Sequence, residues 1–255
     1  MVPCPWFPEI ADYAKSHPDA DLGVHLTLTS ERTLYRWGPV SPNKVRSLVD
    51  QHGYFHPTWM ANTRIKLGDV ARELRAQIEK ALAMGMRPTH LDSHQFALYS
   101  SGKDLFELLV GLGREYGLPV PVSRDWFSKW PYLARSLGSS VICVDRQVDI
   151  RPNVPAEKWL EYYTETVKNL SPGITELIIH IGYDDEELRA FSSDRESWGS
   201  AWRQRDFDFF TSATFRELLR QNDIALVTWR ELSFAFAGNS PDNRSTSSRS
   251  DALRP

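Results

Sequence analysis

The run Pro88-Thr89-His90-Leu91-Asp92-Ser93-His94 sets two imidazoles and a carboxylate at alternate positions. In an extended chain, side chains two apart share a face, so His90, Asp92 and His94 point one way while Leu91 and Ser93 point the other. That is the spacing of a metal site carried on a strand. The same grammar returns upstream in Asp21-Leu22-Gly23-Val24-His25-Leu26-Thr27-Leu28, where Leu22, Val24, Leu26 and Leu28 take one face and His25 the opposite one. A third histidine, His180, ends the apolar run Leu177-Ile178-Ile179, which reads as a buried strand.

Outward from these strands, short apolar runs alternate with amphipathic segments, which predicts an α/β fold with a mainly parallel sheet. Val70, Leu74, Ile78 and Leu82 mark one face of a helix from about Asp69 to Met84, with Gly85 as its stop. Leu105, Leu108, Leu109 and Leu112 mark the next helix, which gives way near Gly117 to a strand around Val120 and Val122. Trp159 to Val167 reads as helix, Thr175 to Ile181 as strand, Phe215 to Leu219 as helix and Ile224 to Val227 as the last strand. From Gly238 the composition turns to Ser, Asn, Arg and Asp, which predicts a disordered tail over 237–255 behind one domain over 1–236. His25 falls within its strand, His94 just past one and His180 at the end of another. In barrels and open parallel sheets the ligand site sits at the carboxyl edge, so the three segments predict one site.

With 255 residues, 41% hydrophobic and 25% charged, the chain is long enough for a sizeable core. A net charge of -3 and a pI near 6.2 leave no basic field, so neither nucleic acid nor an anionic membrane is an expected partner. Cys4 and Cys143 are far apart and form no Cys-x-x-Cys pair, so reduced, buried thiols are expected rather than a disulfide or thiolate zinc site. The first residues have no basic region followed by a long apolar one, and no stretch approaches the roughly 20 apolar residues of a spanning helix. These features predict a cytoplasmic protein.

His25, Asp92 and His94 together supply two borderline nitrogens and a hard oxygen, a set that suits zinc, manganese or another divalent ion and leaves positions for water and substrate. Such an ion lowers the pKa of bound water from about 15.7 to about 7, so hydrolysis is the implied reaction class. His180, titrating near neutrality, is either the proton donor to a leaving group or a strand-end histidine paired with Asp184 or Asp185. Trp126, Phe127, Trp130 and Tyr132, with Trp198 and Trp202 later, are either platforms for sugar rings or aromatic cover for a core, the commoner use. His52, Gly53 and His56 read as a loop corner packed on the surface. No phosphate loop, nucleophile elbow or dinucleotide fingerprint is present.

The segments Asp21 to Thr29 and Pro88 to His94, and the strand ending at His180, resemble the YdjC-like carbohydrate deacetylases, the ChbG/HpnK family. Arg203 with Asp206, followed by Phe210-Thr211-Ser212, is similar to a late segment of that family. The resemblance runs from Met1 to about Leu232. It implies a (β/α) barrel-like fold and hydrolysis of an N-acetyl group on an amino sugar or oligosaccharide with a divalent ion, magnesium or zinc. His25 and His94 would be metal histidines, His180 the acid, and Arg203 and Asp206 substrate contacts.

The chain departs from the family pattern at its start, where members carry an extra strand ending in Asp-Asp. The sole Asp-Asp pair, Asp184-Asp185, follows the His180 strand. A histidine-rich continuation is replaced by Gln95-Phe96-Ala97-Leu98-Tyr99. The expectation is therefore an incomplete barrel, from a reading frame begun at an internal methionine or a degenerate member, with impaired activity and an exposed edge that favours self-association into a homo-oligomer. Two other functions compete: a non-catalytic sugar-binding or structural remnant, and a metal-dependent phosphoesterase relying on Arg203 and Arg205.

Overall fold

The computed structural model describes residues 1–59 and 65–238. Within the span read from sequence as one domain, the described residues gather into two compact units: one from Met1–Ser30, Trp37–Cys143 and the residues from Val227 on, the other from Glu31–Arg36 and Val144–Leu226. The predicted tail over 237–255 lies outside the described residues, except that its first two positions close the final helix.

The first unit opens with α1 (Phe7–Ser16), β1 (Val24–Leu26), α2 (Leu67–Ala83) and β2 (Leu91–Ser93). It continues through α3 (Ala97–Ser100), α4 (Lys103–Tyr116), β3 (Val120–Ser123), α5 (Tyr132–Arg135) and β4 (Val141–Val144), whose last residue begins the second unit. The helix expected from about Asp69 to Met84 is α2. Val70, Leu74, Ile78 and Ala81 are fully buried along one stripe, each large side chain there contributing on the order of 1.5–3 kcal/mol of burial. Glu73 and Gln77 share that buried side, and their polar ends are used: Glu73 accepts from the amides of Val40 and Ser41, while Gln77 bonds both backbone groups of Thr27. The loop after β1 is thereby fastened to α2. Helix α4 ends at Gly117, whose φ of +66° suits a residue without a Cβ.

Strands β1 and β2 pair in parallel with Val24 opposite Leu91, His25 opposite Asp92 and Leu26 opposite Ser93. Val24, Leu26, Leu91 and Ser93 are buried, which turns His25 and Asp92 to the other face. Beyond this pair, Leu91 N–H donates to Pro119 O, and Val120 N–H donates to Ser140 O at the β3–β4 pair. Neighbours in space thus follow chain order, with α2 in the β1–β2 crossover and α4 in the β2–β3 crossover.

The second unit contains β5 (Arg146–Asp149), α6 (Trp159–Lys168), β6 (Thr175–Ile178), α7 (Glu186–Ser192), α8 (Ser200–Phe210) and α9 (Ala213–Gln221). β5 and β6 are parallel, Arg146 opposite Thr175 and Asp149 opposite Ile178. Their core is aromatic: Trp159 and Tyr163 of α6 meet Trp202 and Phe209 of α8 and Phe215 of α9. The chain returns to the first unit with α10 (Trp229–Gly238).

The fold is α/β, and its described ladders are three strand pairs rather than a closed sheet. Two strand boundaries need correction. β6 stops at Ile178 instead of reaching Ile181, so His180 stands beyond the ladder. The strand expected over Ile224–Val227 is irregular and leaves Leu226 74% exposed. Its β-branched residues have no ladder among the described residues, and an unpaired apolar run has no backbone partners to hold it extended.

Candidate active site

In the first unit the parallel register sets His25 beside Asp92, and His25 Nδ1 lies 2.7 Å from Asp92 Oδ2. The other ring nitrogen, Nε2, lies 3.3 Å from His94 Nδ1, with the two rings nearly perpendicular. His94 follows β2 directly. After it, Gln95 and Phe96 both take left-handed backbone angles, φ 54° and 55°, a conformation that costs a residue with a Cβ roughly 1–2 kcal/mol. The bend sends the chain away from the strand and into α3, where Phe96 meets Trp126 and Tyr99 edge-on or tilted.

Asp92 lies deep, although 34% of its side-chain surface still meets solvent. Depth alone would raise its pKa, but the charge and hydrogen bond of His25, with His90 nearby, hold the carboxyl below the ordinary aspartate range. His90 precedes β2, near enough to act on Asp92, and is bonded through Nδ1 to Thr89 Oγ1 and tilted against Trp229. Its imidazole approaches Gly23 so closely that a Cβ there would lie 2.4 Å from Nε2, and burial lowers its pKa. Asp21 fixes Trp229 in turn, accepting from the Trp229 and Arg230 amides at the start of α10.

The histidine pair fits a metal in one respect. Two nitrogens bound to one zinc at roughly 2.0–2.1 Å and a tetrahedral angle stand roughly 3.3–3.4 Å apart, the observed separation. Asp92, expected as a third ligand, instead has Oδ2 directed at His25 Nδ1, and among the described residues no three His, Cys, Asp or Glu side chains are arranged to hold an ion. Its position is that of an orienting carboxylate behind a histidine.

The second unit carries His180, Arg203 and Asp206. His180 N–H donates to Asp206 Oδ2 at 2.8 Å, and its ring lies against Trp202 and Trp198. Asp206 is fully buried, and its Oδ1 accepts from the Tyr163 hydroxyl. Burial drives its pKa up against these hydrogen bonds, and the same burial, with Asp206 beside it, drives the Tyr163 hydroxyl up strongly. Expected as a substrate contact, Asp206 has both oxygens engaged inside the protein and anchors the backbone of His180. The alternative partners of His180 are also committed: Asp184 to Arg189, Asp185 to the Leu188 amide at the start of α7.

Sequence reasoning missed Arg32 and Asp194. Arg32 is 3% exposed, its Nη1 lies 3.3 Å from Asp194 Oδ1, and its guanidinium sits 4.6 Å from the Phe191 ring centre. Asp194 also accepts from the Thr33 amide and hydroxyl. The sequence signal is slight, since Asp194 lies 162 residues from Arg32. Arg205, a cation of the phosphoesterase alternative, is exposed over the Trp159 ring. Trp126 and Trp130 pack mutually at 6.0 Å, and Cys4 and Cys143 form no disulfide. No helix among the described residues is long and apolar enough to cross a membrane.

Parallel strand-helix units, with His25 and Asp92 facing each other on β1 and β2 and His94 just past β2, define an α/β protein of the kind that carries its polar groups at strand ends. A family model described as YdjC-like protein matches residues 1–221, and the chain belongs to that family. Among its relatives are proteins named carbohydrate deacetylase. That of Thermus thermophilus is 33% identical over 92% of this chain and 84% of its own, and that of Enterococcus faecalis is 29% identical over 90% and 84%. A solved structure from Enterococcus faecalis, described as a candidate cellobiose-phosphate cleavage protein, superposes with a TM-score of 0.73 at 27% identity, covering 91% of this chain and 85% of that one.

Proposed function

We propose that this protein hydrolyses the N-acetyl group of an amino sugar or short oligosaccharide, with a divalent ion, magnesium or zinc, held by His25 and His94. The observation that carries the reading is the 3.3 Å approach of His25 Nε2 to His94 Nδ1 with Asp92 behind His25. It is supported by relatives named carbohydrate deacetylase. In this reading the chain-order succession of strand-helix units belongs to a (β/α) barrel-like arrangement, and the partner is a small carbohydrate.

A divalent ion at such a site supplies a water of lowered pKa and polarises the acetyl carbonyl. The protein's share is to present the ligands in one protonation state. Asp92 accepts the Nδ1 proton of His25, which leaves the Nε2 lone pair facing His94. His180 is assigned the proton donor to the departing amine, its backbone fixed by Asp206 and its ring flanked by two indoles. Attack of water on the acetyl carbon, cleavage of the C–N bond and proton delivery to nitrogen give acetate and the free amine.

The test is acetate release from N-acetylated chito-oligosaccharides by the full chain, with bound metal measured in parallel. His94→Ala is expected to remove the ion and lower turnover by about 10²-fold or more. A His94→Ala protein that releases acetate at the unsubstituted rate would overturn the assignment.

A further inference from the structure

In the first unit the ends of β2 and β3 each deliver an aromatic side chain that the hydrolytic chemistry leaves unused. Phe96 stands two residues after His94, at most about 7 Å of extended chain away. Trp126 stands three residues after Ser123, the last residue of β3, and its ring centre is 5.4 Å from that of Phe96 with the planes 78° apart. Trp130 lies 6.0 Å from Trp126. These three are half-buried, whereas Tyr99, which meets both Phe96 and Trp126, and Phe106, which meets Tyr99, are sealed from solvent. The cluster thus has a closed inner layer and an outer layer that solvent still reaches.

Two observations set this outer layer apart from ordinary core cover. The first is strain. Phe96 reaches its place through consecutive left-handed angles at Gln95 and Phe96, and such angles in residues with a Cβ cluster at functional sites, where the surroundings impose them. The second is position. Phe96 and Trp126 lie just past strand ends, the edge at which parallel sheets bind ligands, and Phe96 shares that edge with the His25–His94 pair. Trp130 is less available, since the Lys129 ammonium sits 4.7 Å from its ring centre. A pyranose ring offers a face of C–H bonds inside a rim of hydroxyls, and a rigid, partly exposed aromatic side chain packs on such a face while the rim stays hydrated.

We propose that Phe96 and Trp126 form a stacking subsite for the pyranose ring adjoining the one that carries the reacting N-acetyl group. The inference rests on the deacetylase reading for the identity of its ligand, and it makes the site one for an oligosaccharide rather than a single sugar.

The experiment titrates the full chain by calorimetry with glucosamine and with its disaccharide chitobiose, which carry no acetyl group and so bind without turnover. The disaccharide is expected to bind about 10-fold or more tightly than the monosaccharide, and Trp126→Ala to remove that advantage with divalent-ion affinity unchanged. Trp126→Phe, which keeps an aromatic face, should retain most of it. Should Trp126→Ala fail to fold, Phe96→Leu, which keeps the apolar volume and removes the ring, carries the same expectation. Equal affinity for the two sugars, absence of binding by both, or a disaccharide advantage that survives Trp126→Ala or its Phe96→Leu substitute would overturn the proposal. Acetate release measured on the same preparations separates the two readings. A chain that releases acetate without preferring the disaccharide loses the subsite alone, and one that prefers the disaccharide through Trp126 yet releases no acetate loses the deacetylase reading alone.

Discussion

His25 and Asp92 meet in the first unit because two neighbouring parallel strands run in register, one residue directly opposite the other. In the second unit His180, Asp206 and Tyr163 meet because two helices lay side chains against the end of a strand that has already stopped. The first arrangement is held by ladder hydrogen bonds and leaves its imidazoles partly exposed. The second is held by side-chain bonds inside an aromatic core, with Asp206 completely buried. The difference teaches where each cluster is fragile. A substitution in the first should be felt in ligand binding, whereas one in the second should be felt first in folding.

The largest expected effect separates the two in stability. Asp206→Ala takes the acceptor from a buried hydroxyl and a backbone amide at once, so a loss of about 2–5 kcal/mol in urea unfolding is expected. A loss below about 1 kcal/mol would mean that Asp206 is not the anchor of the His180 segment. The mirror experiment is Asp92→Asn in the first unit, expected to weaken divalent-ion affinity about 10–100-fold, by calorimetry, with little change in unfolding midpoint. Equal affinities before and after would remove Asp92 from any orienting role and break the contrast.

The smallest expected effect concerns acid. Burial tends to raise the Asp194 carboxyl, but the Thr33 amide and hydroxyl and Arg32 outweigh it and hold the folded group below its ordinary value of 3.8. Its contribution is therefore fully present above that value and is lost as pH falls through 3.8 toward the folded pKa. Asp194→Asn should flatten the acid limb of the stability curve measured from about pH 6 to pH 2. An acid limb identical to that of the unsubstituted protein would show that the Arg32 anchor carries no such dependence.

Much of the first unit was legible because its signals are local. The alternation through Val24, His25 and Leu26 and through Leu91, Asp92 and Ser93 gives each residue its face, and the Val70, Leu74, Ile78 stripe gives α2 its buried side. The bend after His94 was not legible, since neither Gln95 nor Phe96 is a residue type that announces a left-handed angle. The strand expected at Ile224–Val227 failed for a related reason: β-branched residues favour extension, but only a partner strand makes it a ladder. The cluster around Arg203 was named in part, yet its arrangement depends on α8, which combines a broken apolar pattern with deep burial of Trp202, Asp206 and Phe209.

By itself, the sequence determined the α/β alternation, the histidines and their faces, and the motifs that place the chain in the YdjC-like family. Periodicity and short motifs are written along the chain, within reach of neighbouring residues. Tertiary structure alone decided that Asp92 turns to His25, that Asp206 is spent on Tyr163 and His180, and that Arg32 pairs with Asp194. Each of those outcomes is a competition for a partner among groups distant in sequence, and a carboxylate's role is fixed by which donors the fold brings to its oxygens first.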